Sequence, residues 1–241
     1  MANGTHLVRW LSRQSTSLPD GDDWLSEREQ ALLATLRFEK RRRDWRLGRW
    51  TAKELLRRLP GFGECPAADL EIIAAADGAP EVWWRGERLD QGISITHREN
   101  RAVAAVAAEG RVGCDLEVIE PRSVAFVRDY FTPGELAVVE ASPVGERALR
   151  TALIWSAKES VLKVLREGLR MDTRSVEADA AVPLGDGANG CLRVTLPGDG
   201  RAFECWYALS GKWVLTLCAD PNPTTPPYPV DPAGLIPFAP L

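Results

Sequence analysis

The chain has 241 residues, 45% of them hydrophobic, enough to bury one large core or two smaller ones. A formal net charge of −4 and a sequence pI of about 5.4 exclude a generally basic nucleic-acid or membrane-surface binder, while leaving room for local basic clusters. Cys65, Cys114, Cys191, Cys205 and Cys218 are widely spaced and without a C-x-x-C pair, which points to a reduced, cytoplasmic protein with neither a zinc site nor a disulfide framework.

The N-terminal stretch lacks the basic start and apolar centre of a signal peptide, and no apolar run approaches the roughly 20 residues of a membrane span. His6 to Leu11 is expected as a first strand. Ser26-Glu27-Arg28-Glu29 has the S-x-x-E pattern of a capping box, predicting a helix from Glu27 to Leu36. A longer helix from Arg41 to Leu59, stopped by Pro60-Gly61, carries Arg42, Arg46, Arg49, Lys53 and Arg57 at spacings that make one basic stripe. The stripe reads as a solvated face, a phosphate-binding wall or, less readily in an acidic chain, a nucleic-acid helix.

Strands are expected at Asp69 to Ala75 and Glu81 to Arg85, around a turn at Asp77-Gly78-Ala79-Pro80. A meander of Ile93 to His97, Ala102 to Ala108 and Arg111 to Val118 implies two hairpin connections. In the last of these strands Val112, Cys114, Leu116 and Val118 share one face, leaving Gly113, Asp115 and Glu117 on the other. Two carboxylates aimed the same way are either an exposed polar face or a site for a hard divalent cation such as Mg²⁺.

Thr132-Pro133-Gly134-Glu135 announces another helix, and a longer one from Glu146 to Arg166 contains Trp155-Ser156-Ala157-Lys158-Glu159-Ser160-Val161-Leu162-Lys163. At about 100° per residue, Ile154, Ala157, Val161, Val164 and Leu165 face one way and Trp155, Glu159 and Lys163 the other. Taken alone, Glu159 and Lys163 also fit a surface ion pair. Strands at Cys191 to Leu196, Ala202 to Leu209 and Trp213 to Cys218 follow, then a proline-rich tail from Pro221 in which Tyr228, Leu235, Ile236 and Phe238 are candidate anchors.

Trp50-Thr51-Ala52-Lys53-Glu54 echoes Trp155-Ser156-Ala157-Lys158-Glu159. The expected architecture is therefore α+β, two similar lobes related by a pseudo-twofold axis, each a small antiparallel sheet packed with a long helix. The lobes span residues 1–108 and 109–220, the tail is 221–241, and the cleft between lobes is the natural ligand site.

The basic helix ending Gly48-Arg49, the strand ending Ser94-Ile95-Thr96-His97, Gly113-Cys114-Asp115-Leu116-Glu117 and Trp155-x-x-Lys158-Glu159-x-x-x-Lys163 together resemble the surfactin-type 4′-phosphopantetheinyl transferases. The resemblance implies Mg²⁺-dependent transfer of the phosphopantetheine arm of coenzyme A to a serine of an apo acyl or peptidyl carrier protein, with release of adenosine 3′,5′-bisphosphate. Carriers of fatty-acid, polyketide or nonribosomal peptide synthesis would all serve, and a monomer would suffice.

By the same resemblance Asp115, Glu117 and Glu159 would hold the metal, Glu159 would be the general base and Lys163 would stabilise the leaving phosphate. Arg42, Arg49, Thr96, His97, Lys158 and Lys163 would contact coenzyme A. Taken by itself, His97 reads more readily as a satisfied buried imidazole or a simple surface residue than as a phosphate contact. Ala79 stands where the family often has a basic residue, a loss that Arg98 or Arg101 could cover. The rivals are a non-catalytic nucleotide- or partner-binding homologue and a nucleic-acid binder using the basic helix; neither nucleic acid nor membrane is the expected partner.

Overall fold

The computed structural model describes residues 7–179 and 189–231. Leu235, Ile236, Phe238 and the start of the expected first strand at His6 lie outside the described residues. The first half runs β1 (Val8–Gln14), α1 (Glu27–Thr35), α2 (Glu39–Arg57), β2 (Leu70–Ala74), β3 (Pro80–Trp84), β4 (Glu87–Arg88), β5 (Gly92–Arg98) and β6 (Arg101–Ala107). The second runs β7 (Arg111–Val118), α3 (Val124–Tyr130), α4 (Pro133–Ala141), α5 (Arg147–Val164), β8 (Glu177–Ala178), β9 (Asn189–Thr195), β10 (Ala202–Ser210) and β11 (Trp213–Asp220).

Three sheets result, in the orders β12-β1-β6-β5, β7-β11-β10-β9-β8 and β2-β3-β4, where β12 is Tyr228–Pro229. The expected second hairpin of the meander does not form. β5 and β6 pair antiparallel, but the chain then crosses at Gly110 and β7 joins the other sheet beside β11. The tail is not without structure either: β12 lies parallel to β1, and Val230 N–H donates to the Trp10 carbonyl at 3.0 Å.

The apolar alternation explains the layering. Val8, Trp10, Val103, Ala105 and Ala107 on one sheet meet Val112, Cys114, Leu116, Leu215 and Leu217 on the other. On the outer faces, α2 packs Ala52, Leu55 and Leu56 over Leu11, Ile93 and Ala104, while α5 packs Ala157, Val161 and Val164 over Val194, Cys205 and Val214. Where α5 crosses β7 a side chain has no room: a Cβ on Gly113 would stand 1.9 Å from the Ser160 carbonyl oxygen. Gly113→Ala is expected to cost about 3 kcal/mol, since the clash is with backbone, and a denaturant titration would show it.

The sequence echo has a structural counterpart. In the first half Glu29 closes the Ser26 capping box, accepts from Ile72 N–H at 2.9 Å and binds the buried Lys53 Nζ at 2.5 Å; Lys53 also donates to the Trp24 carbonyl at 3.0 Å. In the second half Glu135 closes the Thr132 box, accepts from Ala178 N–H at 2.8 Å and binds Lys158 Nζ at 2.6 Å; Lys158 also donates to the Tyr130 carbonyl at 3.1 Å. Each half thus ties a helix start, a long helix and a following strand to one buried ion pair.

The expectation of no disulfide is corrected. Cys205 and Cys218 face each other across β10 and β11 and are bonded, with Cα atoms 4.7 Å apart. Their 13-residue separation hides a juxtaposition that the hairpin register creates. The cysteine pattern therefore no longer argues for a reducing compartment. Among the described residues no helix is long and apolar enough to cross a membrane.

Candidate active site

β5 and β7 are edge strands of different sheets, and they meet without a backbone ladder. The Ser94 and Thr96 hydroxyls instead accept from the Cys114 and Leu116 N–H groups at 3.0 and 3.3 Å. The expected parity of β7 holds: Asp115 and Glu117 turn away from the inter-sheet core toward α5. There Trp155, Glu159 and Lys163, one helical turn apart, face them.

Lys163 Nζ donates to Asp115 Oδ1 at 2.9 Å and to the Cys114 carbonyl at 2.8 Å. Thr96 Oγ1 donates to the same Asp115 oxygen at 3.3 Å. Glu117 is fully engaged, with Oε1 taking the Trp155 indole N–H at 3.1 Å and Oε2 taking Arg122 at 2.7 Å. Burial, and then Asp115 nearby, raise the Glu117 carboxyl above its ordinary range, against the pull of Arg98 and Arg122.

Burial pushes Glu159 up to about 7; Lys163 opposes this, and the Asp115 and Glu117 charges add to it. Lys163 is pulled down by burial, yet Asp115, with smaller contributions from Cys114 and Glu159, more than restores it and leaves it raised.

Two buried carboxylate oxygens, Asp115 Oδ2 and Glu159 Oε1, have no hydrogen-bond partner. Among the described residues no three His, Cys, Asp or Glu side chains are gathered tightly enough to hold a metal by themselves. Mg²⁺ commonly takes one or two carboxylates and completes its shell with water and substrate phosphate, so these two oxygens fit it. The expected third ligand, Glu117, has both oxygens occupied by Trp155 and Arg122.

Several expected coenzyme A contacts are placed elsewhere. Lys158 is 0% exposed and neutralised by Glu135, so its expected phosphate contact is corrected to a buried structural pairing. Arg42 Nη1 donates to the Leu33 carbonyl at 2.7 Å, and Arg46 is tied to Asp22 at 2.8 Å and to the Gly21 carbonyl at 2.5 Å. With Lys53 buried as well, the basic stripe is largely turned inward to hold α1 and its approach loop.

Arg49 stacks over Trp45 with its Nε unpartnered, and burial lowers its guanidinium to about 10. His97 stands 3.8 Å from Asp44 and is 38% exposed; burial first, then Arg41 and Lys163, hold its imidazole below the usual value against Asp44. Thr96 is buried in the seam. Thr96→Val leaves the Leu116 N–H unmet and is expected to cost about 1–2 kcal/mol in a chemical melt.

A cleft of about 510 Å³ opens between the halves, lined by Ala79, Pro80 and Ser94 from the first and by Arg111, Lys163 and Arg166 from the second. Neither residue expected to cover for Ala79 lines it: Arg98 pairs with Glu120 at 2.9 Å, and Arg101 lies over Trp213. Sequence reasoning missed Arg122 and the indole of Trp155 as holders of Glu117. Ser123 as the cap of α3 was the available signal for a helix there.

Residues 111–218, which carry β7 and α5, match the family model of the 4′-phosphopantetheinyl transferase superfamily. The chain is 30% identical to the 4′-phosphopantetheinyl transferase AcpT of Salmonella typhimurium over 55% of its own length and 64% of that protein's. It is 24% identical to the 4′-phosphopantetheinyl transferase HetI of Nostoc sp. over 70% and 71%. A putative 4′-phosphopantetheinyl transferase of Synechocystis sp. is 26% identical over 44% of each chain, so the match spans less than half of that relative. A holo-[acyl-carrier-protein] synthase of Thermotoga maritima overlaps 53% of this chain and 75% of its own at 24% identity, with a TM-score of 0.35. The chain is thus similar to members of this superfamily over part of its length.

Proposed function

We propose that the protein is a 4′-phosphopantetheinyl transferase of the surfactin type, acting on coenzyme A and an apo acyl or peptidyl carrier protein, and sufficient as a monomer. The observation that carries this reading is the pair of unpartnered oxygens, Asp115 Oδ2 and Glu159 Oε1, beside Lys163, which itself lines the cleft. The matching Glu29–Lys53 and Glu135–Lys158 arrangements support two related halves about a pseudo-twofold axis.

In this reading Asp115 and Glu159 hold Mg²⁺, which when bound offsets negative charge on the pyrophosphate. Burial lifts Glu159 to about 7 in the metal-free protein; beside a bound cation its carboxylate would stay ionised, and it is the candidate acceptor for the proton of the carrier serine. The serine Oγ–P bond forms as the P–O bond to adenosine 3′,5′-bisphosphate breaks, and that electron pair leaves on the bisphosphate oxygen. Lys163 offers its ammonium to that charge, and Glu117, fixed by Trp155 and Arg122, keeps β7 and α5 in register. His97 and Arg49 are the remaining candidates for coenzyme A phosphates. The inward-turned stripe on α2 disfavours the nucleic-acid reading.

Incubation with coenzyme A, Mg²⁺ and several apo carriers, followed by intact mass, is expected to show one phosphopantetheine added to a carrier. No gain on any carrier, with tight and salt-sensitive DNA binding, would overturn the proposal.

A further inference from the structure

At one side of the cleft Asp77, in the β2–β3 turn, meets two arginines from beyond the end of α5. Arg166 grips its carboxylate with a two-pronged contact, Nε to Oδ2 at 2.7 Å and Nη2 to Oδ1 at 2.9 Å. Arg170 Nη1 donates to the Asp77 carbonyl at 2.8 Å, and its Nη2 donates to the Arg166 carbonyl. All three residues line the cleft that Lys163 also lines.

The backbone there is unusual. Arg166 directly follows the last residues of α5 at φ 63°, in the left-handed region where glycine is the inexpensive choice. The side chain is thereby carried back across the opening toward the other half. Five cationic side chains line the cleft against three carboxylates, so its field favours an anion. A fork of guanidinium donors closed on a carboxylate is also the geometry that binds a phosphate.

We infer that Arg166 and Arg170 form a phosphate-binding pair for the nucleotide end of the donor, and that Asp77 occupies them as a built-in carboxylate plug until the ligand displaces it. The inference rests on the proposed use of the cleft by coenzyme A. It assigns to the second half of the chain the cationic contact that Ala79 does not supply from the first. Displacement is inexpensive because Asp77 and Arg166 are both partly in water, where ion pairs are weak, and Glu81 Oε1, the other carboxylate on Arg166, stands further off at 3.4 Å, while a phosphate brings more charge and more acceptor oxygens.

Coenzyme A and inorganic pyrophosphate are titrated calorimetrically into the full chain, Asp77→Asn, Arg166→Gln and the double variant, with a thermal melt of each. Removing the plug is expected to tighten coenzyme A binding about 3-fold or more, and Arg166→Gln to weaken it about 10-fold, as suits a charged contact partly in water. The double variant is expected to match Arg166→Gln. If Asp77→Asn weakens binding as much as Arg166→Gln, the contact is a clasp between halves and the inference is overturned. Unchanged affinity in both variants overturns it too, while leaving the transferase reading intact. A wild-type chain that binds neither coenzyme A nor pyrophosphate overturns both.

Discussion

Glu159→Gln is expected to lower carrier modification by about 1,000-fold while leaving the protein folded and, above neutral pH, more stable. The kinetic part follows from removing a proton acceptor and a metal-facing oxygen together. The stability part follows from sign. Burial raises the folded-state carboxyl to about 7 from an ordinary 4.5, so folding favours the protonated form. That contribution is complete below about pH 4.5 and is lost as pH rises through about 7, where the fold must hold a desolvated charge, a difference of up to about 3 kcal/mol. Glutamine is neutral at every pH and does not suffer the loss. Urea titrations of the metal-free protein at pH 5 and pH 8 should therefore separate the two proteins far more at the higher pH. Equal stabilities at pH 8, or undiminished transfer, would refute this assignment.

The second large effect is expected at Glu135, the buried partner of Lys158, which was first read as a ligand contact. Glu135→Ala strands the Lys158 ammonium in the core and removes the acceptor for the Thr132 and Ala178 N–H groups, a loss of about 4–5 kcal/mol. Lys158→Met, which leaves Glu135 its two backbone donors, should cost less, about 2–3 kcal/mol. Lys53→Met should follow it closely, because Glu29 is bonded in the same way. Thermal melts of the three variants test this ordering. A Lys158→Met protein with an unchanged melting temperature and weakened coenzyme A binding would restore the phosphate-contact reading.

The repeating geometry of the chain was legible where a single period decides it. Alternation in β7 gave the shared direction of Asp115 and Glu117, and the helical spacing of Trp155, Glu159 and Lys163 gave the stripe that faces them. Both capping boxes were readable because their residues are three apart.

What escaped depends on contacts distant in sequence. A helical wheel cannot show that Lys158 is neutralised by a carboxylate 23 residues away, nor that Arg42 and Arg46 serve carbonyls of α1 and its approach loop. The Cys205–Cys218 bond needed the β10–β11 register, and the crossing at Gly110 needed the partner of β7. Arg166 was hidden because its role depends on a left-handed backbone at a helix end.

The seam between β5 and β7 gives the molecule a mechanical property. One threonine hydroxyl there receives the Leu116 amide and also holds the Asp115 carboxylate that Lys163 grips. Sliding one half past the other cannot leave that carboxylate undisturbed, so the gape of the cleft and the aim of Asp115 form a single coordinate. Whatever wedges or cinches the opening also sets the angle at which Asp115 presents its outer oxygen.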